Sequence, residues 1–428
     1  LKDFKSGKPM ARLLEGDVGS GRTAVAAASV QAVVSTRPKD QNFGTLQAAY
    51  MAPTEILATQ HFESFIEYFV GSGLQIGLIT GSGCRKFPSK VKPDSWTDIS
   101  RAQLLKWVEQ GEIPILIGTH ALIQKEVKWK HLALAIIDEQ HRFGTKQRKS
   151  LIDKSHIAPH LLSMTATPIP RTLALTVFGD LDLSLLDEMP PGRKQVITKI
   201  VPPKERRGAY EIIRNEIKMG RQAYVICPRI DEPDPEKEFA IEAKSVKEES
   251  KRLKKEVFPE FEIGVLHSKM KPAEKNAVMK DFSDGKIHIL VATSVVEVGV
   301  NVPNATTIII EGAERFGLAQ LHQLRGRVIR STHQARCFVF SDGKSEATLK
   351  RLNQFSIAKN GFELAEFDLT TRGAGDIAGG KQWGITDIGM EALKNIKMVE
   401  AARKEAQGLV EKDPELSNFP NLKAHITE

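Results

Sequence analysis

Short apolar runs bounded by Gly, Pro or Asp alternate along the chain with longer stretches that have a helical pattern. Runs that are apolar at nearly every position are typical of strands buried on both faces of a parallel sheet, with helices covering those faces. The first series of predicted strands covers residues 10–15, 48–52, 115–118, 133–137 and 161–165. The second series covers residues 222–227, 263–266, 287–292, 306–310 and 335–340.

Two series of strands predict an α/β protein with two tandem parallel-sheet domains. A chain of 428 residues is also too long for one compact core. The breaker cluster Pro-Pro-Gly-Arg at 190–193 separates the series, so we expect a first domain over 1–190 and a second over 193–345. Residues 346–428 are helix-rich, contain a glycine cluster and are too few for a third α/β domain.

Two segments depart from this alternation. Residues 81–98 combine Gly, Ser and Pro with several Lys and Arg side chains, which predicts a basic surface loop that is either only solvated or in contact with DNA. Residues 231–258 begin with an acidic, proline-containing turn and continue into a helix rich in Lys and Glu. Such a helix is usually a solvated face, and we expect no function for it.

Composition narrows the class of protein. With 41% apolar and 27% charged residues the chain is an ordinary globular protein, and no apolar run approaches the roughly 18 residues that span a bilayer. The net charge of +8 favours a polyanionic partner such as nucleic acid. Cys84, Cys227 and Cys337 form no C-x-x-C pair, so they predict neither a zinc site nor disulfides and fit a reducing cytoplasm. Because neither an initiator Met nor a signal-peptide pattern is present, we expect a piece of a longer cytoplasmic protein.

Residues 16–23 have the frame of a phosphate-binding loop, with Arg22 where the usual lysine would be. Its glycines let several backbone N–H groups point at phosphate oxygens, and the following helix adds the positive end of its dipole. Thr23 offers a hydroxyl to Mg²⁺, whereas Arg22 places a planar fork where a compact charge is expected. The candidate nucleotide-binding residues are Gly16, Asp17, Val18, Gly19, Ser20, Gly21, Arg22 and Thr23.

Asp138 and Glu139 follow a predicted buried strand and are the candidate catalytic carboxylates. A carboxylate at the carboxyl end of a strand near a phosphate loop is where magnesium sits in nucleotide hydrolases. We therefore predict Asp138 as the metal ligand and Glu139 as the residue that orients or deprotonates the attacking water. Taken alone, the tetrapeptide could equally be a surface turn.

Two further patterns are ambiguous by themselves. Residues 163–168 place small hydroxyl side chains after a strand, as a link from the nucleotide site to another surface or as a plain turn. Gln323, Arg327 and Arg330 lie on one short helical stretch. Arginines presented across a cleft stabilise a transferring phosphoryl group, but a basic helix face can equally bind nucleic acid or nothing.

Nine segments together resemble the motor of superfamily 2 helicases, and in particular the RecG family of branch-migrating DNA helicases. Their order, spacing and length extend the resemblance over almost the whole chain. The segments are GDVGSGRT (16–23), APTEILATQH (52–61), GTHALIQ (118–124), IIDEQHRFG (136–144), residues 164–194, LHSKMKPAEK (266–275), ATSVVEVGVNVPNAT (292–306), QLHQLRGRVIR (320–330) and residues 361–384.

The resemblance implies two RecA-like domains that bind ATP and Mg²⁺ in their cleft and act, as a monomer, on duplex or branched DNA in recombination and repair. The phosphate loop, Asp138 and Glu139 would serve the nucleotide from the first domain, with Arg327 and Arg330 reaching over from the second. Residues 361–384 resemble a helical hairpin and loop that convert domain closure into translocation. The residues implied in coupling or DNA contact are Thr165, Thr167, Thr293, Glu297, Gly299, Arg372 and Gln382.

Three positions differ from the family: Arg22, Ile329 in place of Gly, and Asn301 in place of an acidic residue. The resemblance also implies that a wedge domain and adenine contacts precede residue 1. One alternative is therefore a module that binds nucleotide and DNA but hydrolyses ATP poorly. Another is the motor of a translocase like the transcription-repair coupling factor Mfd, and a weaker one is an RNA helicase of the same superfamily.

Overall fold

The computed structural model describes residues 1–39, 41–139, 158–166, 181–188, 194–228, 245–267, 269–293, 302–329, 333–372 and 396–427. All ten predicted strands are confirmed within two residues at either end. The strands of the first sheet are β1 (Ala11–Gly16), β2 (Gln47–Met51), β3 (Ile76–Ile79), β4 (Cys84–Phe87), β5 (Thr97–Ile99), β6 (Ile115–Gly118), β7 (Leu132–Ile137), β8 (His160–Thr165) and β9 (Asp182–Leu186). The strands of the second are β10 (Ile197–Val201), β11 (Gln222–Ile226), β12 (Ile263–Leu266), β13 (Ile289–Ala292), β14 (Ala305–Ile310) and β15 (Arg336–Phe340).

Helices cover both faces of each sheet. Thr54 shows how one begins, since its side chain accepts a hydrogen bond from Leu57 N and caps the helix that follows. The helices named below are α1 (Arg22–Val34), α2 (Glu55–Phe69), α3 (Arg101–Gln110), α4 (Arg206–Lys218), α5 (Pro272–Ser283), α6 (Leu318–Arg325), α7 (Glu346–Ile357), α8 (Gly361–Arg372), α9 (Ile396–Lys412) and α10 (Pro420–Thr427).

The strand order of the first sheet determines where its loops meet. It runs β5-β4-β3-β6-β2-β7-β8-β1-β9, with β4 antiparallel to its neighbours and the other pairs parallel. Every residue of β2 is buried, as expected of a central parallel strand. Because β7, β8 and β1 are adjacent and parallel, their carboxyl ends lie side by side at one edge of the sheet.

The second sheet is parallel throughout, in the order β10-β15-β14-β11-β13-β12. One face packs against α5, α6 and α7, and the other against α4 and helical residues 245–257. Two sheets, the first mainly and the second wholly parallel and each covered by helices, confirm the predicted fold class. The predicted linker at 190–193 lies outside the described residues.

The prediction of a surface loop over residues 81–98 is wrong in part. Residues Cys84–Phe87 and Thr97–Ile99 form an antiparallel extension of the sheet edge, in which Cys84, Lys86 and Phe87 are buried. The predicted solvated helix is likewise packed on one side, since Val246 and Leu253 are fully buried. The Gly, Pro and Lys content of these segments concealed the few apolar positions that anchor them.

Each sheet has one buried glutamine at the start of its central strand. Gln47 Nε2 donates to the carbonyls of Val108 and Ile113, at 2.9 and 3.0 Å. Gln222 Nε2 makes the matching pair of bonds in the second sheet, to Phe282 O and Ile287 O. In both domains the amide thus ties the end of a helix to the strand that follows it.

All three cysteines are free and buried, as expected of a chain without disulfides. Among the helices of the described residues, none combines the length and the apolar character required to cross a bilayer.

The Gln47→Leu substitution keeps the side-chain volume but removes these bonds together with those that Gln47 Oε1 accepts from the amides of Lys130 and His131. Because an orphaned buried polar group costs about 1–3 kcal/mol, we expect the free energy of unfolding to fall by at least ~2 kcal/mol in a urea titration. The exposed Gln31→Leu is the matched control and is expected to stay within ~0.5 kcal/mol of the wild type. Equal stability of the two variants would contradict this role.

Candidate nucleotide site between the two sheets

The predicted phosphate loop joins β1 to α1 in a tight turn. Gly21 has φ 97°, in the left-handed region that favours glycine, and α1 begins at the next residue. A Cβ added at Gly16 would overlap Ser20 Oγ. Within the described residues the buried Ser20 hydroxyl has no hydrogen-bond partner. A close turn with an unpaired hydroxyl, ahead of a helix N-terminus, fits an anionic phosphate group.

Arg22 points from this loop to the two predicted catalytic carboxylates. Its Nη1 lies 3.8 Å from Asp138 Oδ1, and its Nη2 lies 3.6 Å from Glu139 Oε1. Nη1 is buried, and in the part of the chain that the structure describes it makes no hydrogen bond. The single charge of the guanidinium therefore offsets part of the charge of the two carboxylates, at distances longer than hydrogen bonds. The structure thus brings together three residues that the sequence analysis had linked only by motif.

Asp138 is fixed by its backbone and by a histidine that the sequence analysis missed. Its N–H donates to Met51 O at 2.9 Å, and its Oδ2 lies 2.9 Å from His61 Nε2. Burial acts to raise the pKa of Asp138, but the hydrogen bond and charge of His61 and the charge of Arg22 outweigh it and hold that pKa below its usual value. The available signal was a histidine at helical spacing on the buried face of α2.

Glu139 connects the carboxylate pair to the segment after β8. It has φ 51°, which is uncommon outside glycine, and its Oε2 accepts a hydrogen bond from Ala166 N at 3.3 Å. Ala166 directly follows Thr165, the buried last residue of β8. A change in the position of this strand end would therefore move the donor that holds the Glu139 carboxylate.

The second sheet contributes a helix and a turn to the same loop. Gln323 lies on α6, and Arg327 lies on the 3-10 turn Gly326–Val328 directly after it; both are half-buried. A Cβ added at Gly326 would lie 2.6–2.8 Å from the side-chain carbons of Val18, so the turn packs directly on the phosphate loop. His322, which the sequence analysis also missed, pairs with Asp17.

Comparison with known proteins agrees with this arrangement. The DEAD/DEAH box helicase family matches residues 2–176, and the helicase conserved C-terminal domain matches residues 208–332. The ATP-dependent DNA helicase RecG of Bacillus subtilis is 45% identical over 413 residues, which are 96% of this chain and 56% of that relative. The protein of the same name from Synechocystis sp. is 43% identical over 429 residues, which are 100% of this chain and 48% of that relative.

Comparison with solved structures also finds RecG. The structure of RecG bound to a three-way DNA junction has a TM-score of 0.70 and 39% identity, covering 93% of this chain and 48% of that one. Over almost its whole length the chain is similar to RecG proteins. It spans about half the length of the RecG relatives it matches. The helicase MrfA bound to DNA, with a TM-score of 0.57 and 16% identity, shows the shared fold alone.

Not all residues implied by the RecG resemblance can be placed. Thr293 is buried one residue after β13, and Arg372 is the last residue of α8. Ile329, at a position where the resemblance implies a glycine, is buried with φ −76°, a conformation open to any residue. The residues that lie outside the described ranges are Thr167, Glu297, Gly299, Asn301, Arg330 and Gln382.

Glu311 is the positional counterpart of Asp138 in the second sheet. It follows β14, and its N–H donates to Ile226 O at the end of the adjacent central strand, at 2.9 Å. Arg206 Nη1 lies 3.7 Å away, and Glu311 Oε1 is buried with no hydrogen-bond partner among the described residues. Burial, together with the charge of Glu249, raises the pKa of Glu311 to about 7.

The raised pKa predicts a pH dependence of stability. A carboxyl group whose pKa is raised on folding stabilises the protein while it is protonated, and this contribution is lost as pH rises from about 4.5 to about 7. The Glu311→Gln variant has no carboxyl group to ionise and should not show this loss. We therefore expect its free energy of unfolding to exceed that of the wild type by ~1–3 kcal/mol at pH 8, and the two proteins to be nearly equal in stability at pH 4.5. Urea titrations at both pH values test this, with the exposed Glu256→Gln as control. A constant difference between the variants at both pH values would refute the prediction.

Proposed function

We propose that this chain is the motor of an ATP-dependent DNA helicase, which hydrolyses ATP to move on duplex DNA and to remodel branched DNA such as forks and recombination junctions. The observation that carries the proposal is the packing of Gly326 against Val18. It sets an arginine-bearing turn of the second sheet against the phosphate loop of the first, as a hydrolase that works between two domains requires.

The residues present fit a nucleotide with its magnesium ion. The phosphate loop would hold the phosphates, and the Thr23 hydroxyl and the Asp138 carboxylate would hold Mg²⁺. When bound, the ion neutralises charge that develops on the transferring phosphoryl group. The lowered pKa of Asp138 keeps it ionised for that task.

Glu139 would orient and deprotonate the attacking water, and Arg327 and Arg330 would stabilise the phosphoryl group from the second domain. Gln323 would assist from α6. The hydrogen bond from Ala166 N to Glu139 supports a coupling role for Thr165 and Thr167, since it joins their segment to the catalytic carboxylate. Thr293, Glu297, Gly299, Arg372 and Gln382 would contact DNA or transmit domain motion.

A second candidate, a module that binds nucleotide and DNA with impaired turnover, is favoured by the position of Arg22. Its guanidinium is paired with both Asp138 and Glu139, the groups proposed to hold the metal and the water. The two carboxylates would compete with the phosphates for the guanidinium, and the guanidinium would compete with Mg²⁺ for the carboxylates. A positioned charge at a transferring phosphate is worth several kcal/mol of barrier in other enzymes.

The proposed partner is branched or duplex DNA, because that is what the related RecG structure contains and because the chain carries a net charge of +8. The relatives at 43–45% identity carry the name RecG, which favours this motor over one like Mfd. Solved RNA-bound helicases share 14–17% identity and so support the common fold, not an RNA substrate.

The ATPase rate of Arg22→Lys beside the wild type, with forked DNA present, separates the two candidates. If Arg22 limits turnover, the lysine variant should be faster by about 10-fold or more, equivalent to ~1.4 kcal/mol of barrier. Arg37→Lys, an exposed substitution of the same kind, should change nothing. Glu139→Gln should abolish turnover in both backgrounds. An active wild type that Arg22→Lys leaves unchanged would exclude the impaired-turnover candidate, and absence of ATP hydrolysis in every variant would refute the motor.

DNA binding by such a motor should depend on salt and not on sequence, because the contacts go mainly to phosphates. We expect the affinity for a forked duplex to fall by about 10-fold or more between 50 and 200 mM salt. Fluorescence anisotropy on two forks of unrelated sequence measures both properties. A log–log salt slope near zero would argue against phosphate contacts.

A further inference from the structure

Asp17, the second residue of the phosphate loop, lies at a contact between three parts of the chain. Its Oδ1 accepts hydrogen bonds from Val18 N, at 2.6 Å, and from His322 Nε2. Its Oδ2 accepts a hydrogen bond from Gly361 N, at 3.1 Å. The exposed fractions of the Asp17 and His322 side chains are 7% and 2%, so the pair is almost fully withdrawn from water.

The tautomer of His322 follows from its other partner. Arg325 Nη2 lies 3.0 Å from His322 Nδ1. A guanidinium can only donate, so Nδ1 is the acceptor and Nε2 carries the proton that is donated to Asp17. The hydrogen bond to the loop is therefore directed from α6 to the carboxylate.

Arg325 extends the connection beyond α6. Its Nη1 donates to Phe355 O and Ala358 O, at 3.0 and 3.1 Å, where α7 ends. Gly361, the first residue of α8, follows three residues later and returns to Asp17 through its N–H. The loop, α6, the end of α7 and the start of α8 thus form one closed ring of buried hydrogen bonds.

These bonds do more than shape the loop. A carboxylate that only capped its own turn would accept N–H groups of its own loop. Asp17 instead accepts two of its three hydrogen bonds from distant residues, His322 on α6 and Gly361 at the start of α8. The packing of Gly326 on Val18 shows independently that α6 and the loop are in direct contact. Buried charged hydrogen bonds of this kind are costly to break singly.

We infer that Asp17 is a positioning residue that couples the phosphate loop to α6 and α8, so that nucleotide held by the loop determines the position of α8, the helix with which the 361–384 segment begins. This inference rests on the proposed motor function. His322 donates the hydrogen bond through which the coupling acts. Asp17 in turn positions the loop without touching the reacting atoms.

The test uses the full chain and the substitution His322→Leu, which removes the donor. The ratio of ATPase rates with and without forked DNA should fall by about 10-fold, a coupling loss of ~1.4 kcal/mol, while the rate without DNA stays within about threefold. His322→Gln retains an N–H donor and should restore most of the ratio. His333→Leu, at an exposed histidine three residues before β15, is the matched control.

Amide hydrogen exchange provides a readout that does not require turnover. In the wild type, a non-hydrolysable ATP analogue should slow exchange at Gly361, and in His322→Leu and Asp17→Ala this response should be lost. The double variant Asp17→Ala/His322→Leu should be no worse than either single variant, because the two residues act on one contact.

The outcomes separate this inference from the proposed function. If the wild type binds the analogue and is stimulated by DNA, but His322→Leu keeps the full stimulation and the full exchange response, the coupling role is overturned and the motor stands. Equal losses in His322→Leu and His322→Gln would also overturn it, since the donor would then be irrelevant. If the wild type fails to bind the analogue, the proposed function fails, and this inference fails with it.

Discussion

The arrangement of the site depends on the adjacency of the parallel strands β7, β8 and β1. Parallel strands end at the same edge, so the carboxylate pair, the Ala166 segment and the phosphate loop need no long loops to meet. Burial of β7 and β8 on both faces makes their ends rigid, and the hydrogen bond from Asp138 N to Met51 O continues the ladder one residue further. The packing of the sheet thus sets the positions of these three segments, and side-chain contacts only adjust them.

Asp138 and Glu311 occupy equivalent positions in the two domains, but their surroundings shift their pKa values in opposite directions. Asp138 and Glu311 each follow the strand next to a central strand, and each donates its N–H to the last carbonyl of that strand. His61 and Arg22 lower the pKa of Asp138, whereas burial raises that of Glu311 to about 7. Close partners therefore shift the pKa values of these two carboxyl groups in opposite directions, although the fold places the groups alike.

Much of this architecture could be predicted from the sequence. Ten strands were predicted correctly because each is a continuous apolar run. The tight turn at 16–23 and the place of Asp138 at a strand end also followed from the sequence, because glycines favour the turn and a charged residue ends the apolar run. Five strands, at 76–79, 84–87, 97–99, 182–186 and 197–201, were missed. All but the first lie at or next to a sheet edge, where fewer apolar positions are required. The role of Arg22 as a bridge between two carboxylates was also invisible, since it depends on how far its side chain reaches.

By itself, the sequence determined the local features: the fold class, the tight glycine turn and the charged residues at strand ends. Only the tertiary structure decided the partners. His61 meets Asp138 across 77 residues, and His322 and Gly361 meet Asp17 across 305 and 344 residues. No local pattern encodes such pairs, because a hydrogen bond between distant segments exists only after both sheets have packed and excluded water from the contact.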